Sequence, residues 1–92
     1  MRGEIEWMSR ASNCLAQIWM DATDRHAINE TVDRIEAAIH RDPTGAGESR
    51  SEDARIIFDL PIGMLYHVDP RTETAVIMAL WVVRPGPGRR RD

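Results

Sequence analysis

Apolar positions along this chain follow two periods, and the change from one to the other divides it. Residues 4–8 (Glu-Ile-Glu-Trp-Met) alternate, with Ile5 and Trp7 on one side, which predicts a short strand. Ser9 follows as a cap-type residue. Ala11, Cys14, Leu15, Ile18, Trp19 and Ala22 then recur at helical spacing, and Asn13, Gln17 and Asp21 fill the polar side. Thr23 or Asp24 offers a new cap, and Ile28, Val32, Ile35 and Ile39 follow at steps of four, three and four. This second helix is expected to end near Arg41, because Pro43 disfavours the α region at Asp42. A connection of about three residues makes the two helices an αα-hairpin with one shared apolar face.

After Ser51 the period becomes two. In Ala54–Leu60, Ile56, Phe58 and Leu60 share one side and Arg55, Ile57 and Asp59 the other. Pro61-Ile62-Gly63 is a turn candidate, Met64–Val68 a second strand, and Asp69-Pro70-Arg71-Thr72 a type I turn. Residues 74–83 are apolar on both sides, which suits a strand inside the sheet. The expected fold class is α+β, in the order β-α-α-β-β-β, an antiparallel sheet with a helical hairpin packed on one face. One domain is expected over residues 1–84, with 85–92 as a flexible Pro/Gly/Arg-rich tail. The uncovered sheet face is the place to seek a site.

A length of 92 residues suits one domain, and 42% hydrophobic with 29% charged residues excludes a disordered chain or a disulfide scaffold. Cys14 is the lone cysteine; it has no internal partner and reads as a small core residue. No apolar run suits a membrane span and no secretory signal is visible, so a cytoplasmic location without membrane contact is expected. Charge sharpens the picture. Acids number 15 and bases 12, every base is arginine, and Arg89, Arg90 and Arg91 stand together near the end. Residues 1–88 hold nine arginines against fourteen acids, a net of −5. The body therefore lacks a broad basic footprint for nucleic acid, and any phosphate contact falls to a local arginine cluster.

The short Trp strand, the segments LAQIWMDATDR and INETVDRIEAAIHRDP, the loop GESR, and strands ending LYHVDP and VIMALWVV together resemble the RelE/ParE superfamily. These are toxins of type II toxin–antitoxin systems, often called plasmid stabilisation proteins. The resemblance runs from about Glu4 to Arg84 and rests on element order more than on any one motif. It implies a compact domain with a concave sheet face, held by a cognate antitoxin protein. RelE-like members cleave mRNA on the ribosome; ParE-like members inhibit DNA gyrase. An inactive protein-binding relic of the same fold is a third reading, and an open sheet face or groove would also allow a homodimer.

RelE-type cleavage drives a 2′-hydroxyl onto the neighbouring phosphate. It needs a base, cations for the charge on phosphorus, and an acid at the leaving oxygen. The resemblance carries catalytic roles to Arg55 on the first meander strand and Arg84 at the close of the last. The second-strand arginine position falls at about Gly63, and no tyrosine or histidine follows Arg84. Tyr66 or His67 would have to supply the acid, and as neighbours in one strand they point to opposite faces. The candidate nucleic-acid contacts are Arg50, Arg55, Arg84, Arg89, Arg90 and Arg91. Structural readings stand beside these: Tyr66 and His67 as sheet residues, Arg55 beside Asp59 as surface electrostatics, Arg50 as loop charge, and Trp7, Trp19 and Trp81 as core, with base stacking as the alternative for Trp81. No cofactor or metal is expected. His26 and His40 lie roughly 21 Å apart along one helix, and no nucleotide-loop motif is present.

Overall fold

The computed structural model describes residues 4–51 and 53–83. Its elements are β1 (Ile5–Trp7), α1 (Ser9–Asp21), α2 (Arg25–Arg41), β2 (Glu48–Ser49), β3 (Ala54–Asp59), β4 (Ile62–Asp69) and β5 (Thr74–Val82). The strands form one five-stranded sheet in the order β1-β5-β4-β3-β2. The β3–β4–β5 meander is antiparallel, and β1 lies parallel to β5 at one edge. The expected α+β architecture is present, extended by β2, a two-residue strand paired to β3 through Glu48↔Ile56 and Ser49↔Arg55. Two residues are too few to leave a periodic signal.

Both helices pack on one sheet face. The α2 stripe Ile28, Val32, Ile35 and Ile39 is buried as expected, against Ile62, Met64, Tyr66 and Val68 of β4 and Ala75, Ile77 and Leu80 of β5. In α1, Ala11 is buried while Cys14, Leu15 and Ile18 are half-buried. The sequence puts α2 here for two reasons: its stripe is continuous over about three turns, and Asp24 caps it by accepting from the Ala27 N–H at 3.0 Å. Asp24→Ala is expected to cost about 1 kcal/mol. In a domain this small that lowers the melting temperature by about 4–8 °C, read in a thermal scan.

Several local expectations change. Met8 occupies the cap position of α1, which begins at Ser9 with no side-chain cap. The β3–β4 turn is Leu60-Pro61, not Pro61-Ile62-Gly63; Ile62 and Gly63 belong to β4 and are buried. Ile62 is fully buried between Asp59 and Val82, and that apolar burial outweighs the turn preference of the Pro-Ile-Gly string. The β4–β5 loop runs one residue further than a type I turn: Glu73 N–H bonds Asp69 O, and Glu73 has a φ of 57°. Trp19 lies at the margin of the stripe, 39% exposed, with the Arg25 guanidinium 4.4 Å from its ring centroid. Trp7 is half-buried and its indole N–H donates to Glu36 at 2.7 Å.

Candidate functional site

Residues opposite each other on paired strands share a face. On the helix side lie Arg55 with Tyr66, Ile57 with Met64, and Asp59 with Ile62. The side expected to be surface charge therefore faces the helices at β3. Arg34 of α2 meets this face at its end. Its Nε and Nη2 meet the two Asp59 oxygens at 2.9 and 3.0 Å, a forked pair that ties α2 to the end of β3. The same bonds hold the Asp59 carboxyl below the usual carboxylate range and raise the Arg34 guanidinium. Asp59 thus pairs with Arg34, not with Arg55.

Tyr66 is fully buried, and its hydroxyl donates to Pro43 O at 3.0 Å. Arg55 is half-buried beside it and donates through Nη1 to Gly47 O at 3.1 Å. Burial pushes the Tyr66 phenol above its ordinary value, with Arg55 opposing, so it stays protonated and serves as a donor. Gly47 lies directly against this pair. A Cβ there would come within 2.8 Å of the Tyr66 hydroxyl and 2.9 Å of Ile56 O. Tyr66 and Arg55 together pin the 43–47 loop onto the sheet end.

The opposite face has another character. His67 lies there, exposed, so Tyr66 and His67 do point to opposite faces. From it toward the β3–β4 turn the outward positions of the three central strands are apolar: Ile56 beside Leu65 and Ala79, and Phe58 beside Gly63 and Trp81, with Val76 beside His67 itself; Glu6, Glu48, Asp69 and Thr74 stand on the same face at its edges and far end. Phe58 is 48% exposed and Leu60 at the adjoining turn 66%. Phe58 and Trp81 meet edge to face over Gly63, with ring centroids 6.2 Å apart. Trp81 is therefore part of this outer surface and not of the helix-side core. The strand cations are absent from it: among the described residues, no outward-facing strand position holds arginine. Arg50 lies in the β2–β3 loop, exposed, and Arg71 in the β4–β5 loop, both at the Asp69 end of the meander.

The described members of the expected catalytic set divide between the two faces of the sheet. Arg55 and Tyr66 are neighbours on the helix side, His67 is on the other, and Arg84 lies outside the described residues, as do Arg89, Arg90, Arg91 and the 85–92 tail. Among the described residues there is no cluster of three or more His, Cys, Asp or Glu able to hold a metal, and no helix long and apolar enough to cross a membrane. The apolar outer set, centred on Phe58 and Trp81, was marked in the sequence only by the alternation of Ile56, Phe58 and Leu60. That pattern does not say which side is covered.

No family model and no curated protein sequence matches this chain. Solved structures do. A chain of the RelBE2 toxin–antitoxin complex from Mycobacterium tuberculosis superposes with a TM-score of 0.72 at 14% identity, covering 89% of this chain and 92% of that one. The isolated E. coli RelE toxin gives 0.66 at 12% identity over 91% and 87%. A chain of the chromosomal ParDE system of P. aeruginosa gives 0.66 at 16% identity over 88% and 96%. The fold is that of the RelE/ParE toxins.

Proposed function

We propose that this chain is the toxin-type member of a toxin–antitoxin pair and that it acts by gripping a protein target, not by cutting RNA. The fold supports the first part. One observation carries the second: on the open sheet face, Ile56, Phe58, Leu65 and Trp81 make an apolar, aromatic patch, and among the described residues no outward strand position holds arginine. Phosphate recognition draws most of its affinity from cations, and phosphoryl chemistry needs them at the reacting phosphorus. The two groups nearest to such a role, Arg55 and Tyr66, face the helices, and both spend donors on loop carbonyls. Exposed aromatic and aliphatic side chains on a rigid sheet suit a protein contact instead. Among protein targets, DNA gyrase is the one the ParE-like resemblance implies.

Induced expression tests this reading. Growth arrest with intact transcripts is expected, relieved by co-expression of the cognate antitoxin. Transcripts cleaved on ribosomes under arrest would overturn it. Purified protein added to a gyrase supercoiling assay separates gyrase from other protein targets.

A further inference from the structure

We propose that residues 84–92 turn back from the end of β5 and seat arginine in a pocket on the helix side of the sheet, where the α1–α2 connection meets the β3–β4 turn. The proposal is independent of the protein-contact reading above. The pocket holds about 500 Å³; Ile18, Ile28, Pro61 and Val82 give it apolar walls, and Asp21 and Asp24 stand among them. Both carboxylates are exposed, and among the described residues neither has an ion-pair partner. Asp24 accepts from the Ala27 N–H, and Asp21 only from the Gln17 amide. Asp21 closes α1, where the negative end of the helix dipole disfavours a carboxylate, and the last turn of α1 holds no basic residue. Neighbouring Arg25 donates to Trp19 O and lies over that ring, and neither residue lines the pocket. The site is short of a cation.

The chain brings one to its rim. Val82 is part of the pocket wall, and Val83 N–H donates to Pro61 O at 2.7 Å, so the segment that follows starts at the pocket's edge. Residues 84–92 read Arg-Pro-Gly-Pro-Gly-Arg-Arg-Arg-Asp, four arginines against one acid. The six steps from Val83 to Arg89 span up to about 20 Å, and the Pro-Gly pairs between them suit a reversal of direction. Arginine fits both parts of the site: its stem lies on the apolar wall while its guanidinium reaches the carboxylates. Asp59, beside the same turn, is already held by Arg34. Exposed pairs of this kind are individually weak, and a tether that supplies millimolar effective concentration favours the chain's own arginines over those of any separate molecule.

A nitroxide attached through D92C, in a full-length chain whose lone cysteine is removed by C14A, tests the docking by NMR. At low salt the amides of Asp21, Thr23 and Ala27 are expected to lose intensity about fivefold, and those of Leu65 and His67 to keep it; 0.5 M salt should restore the lost signals. D21R alone and R89E/R90E/R91E alone should each abolish the effect, and the two together should bring it back, which separates a swapped charge from a misfolded variant. Asp24 is left in place because it caps α2. An even, weak loss over the whole surface overturns the proposal, as does a loss centred on Leu65 and His67 or a combined variant that fails to recover it. Loss that appears only when a spin-labelled chain is mixed with an isotope-labelled one assigns the arginines to a second copy and overturns it equally.

Discussion

Replacing Tyr66 with alanine is expected to destabilise the domain by about 3–5 kcal/mol, the cost of truncating a large buried aromatic. Tyr66→Phe is expected to cost about 1–3 kcal/mol, because the Pro43 carbonyl loses its donor in a buried setting. Denaturant midpoints measure both, and the slopes of the transitions should be unchanged. The ordering matters for function. A tyrosine acting as catalyst would make Tyr66→Phe inactive and as stable as the parent. A tyrosine that holds the 43–47 loop makes the same variant less stable and leaves growth arrest in place wherever it folds. The raised phenol agrees with the second role, since the hydroxyl keeps its proton and keeps donating.

Gly63→Arg, which installs the side chain that the RelE resemblance expects on the second meander strand, should destabilise the fold by about 2–4 kcal/mol. A Cβ at this position would come within 2.7 Å of the Trp81 indole and 2.9 Å of the Phe58 ring. Overpacking costs about 1–3 kcal/mol, and displacing the rings forfeits their edge-to-face contact, worth about 0.5–1.5 kcal/mol. Gly63→Ala should fall in between, because Trp81 is only half-buried and can give way outward. Near-ultraviolet circular dichroism would report the displaced indole. A Gly63→Arg protein as stable as the parent, with its aromatic signal intact, would show that the rings do not occupy this space. The same crowding explains why the outer face cannot gather a RelE-like arginine set: its aromatic pair fills the ground where one would stand.

Much of the fold was legible in the chain. The α2 stripe, its Asp24 cap and its end at Arg41 follow from spacing and one proline, because a long amphipathic helix repeats its signal over several turns. The sheet was legible in outline and not in register. Residues 74–83 are apolar on both sides, so a one-residue insertion leaves no mark; yet β5 carries a register shift that leaves Met78 between the Ala79↔Leu65 and Ile77↔Tyr66 pairs. This bulge lets Ile77 and Leu80, three apart, both face the helices. Trp19 and Trp81 were misplaced for a related reason: a large apolar side chain satisfies an apolar pattern whether it lies in the core, under an arginine, or on an open face.

The sequence by itself determined the element types and the division between helical and extended halves, since hydrophobic periods of 3.6 and 2 are local properties of the chain. Only the tertiary structure decided which side of β3 turns inward. Alternation offers two equivalent faces, and the choice between them comes from pairing with β4, which sets Arg55, Ile57 and Asp59 opposite the buried Tyr66, Met64 and Ile62; Arg34 adds a contact to Asp59 across 25 positions. That choice set half-buried Arg55 and buried Tyr66 against a loop and turned Ile56 and Phe58 outward. It made the open face apolar.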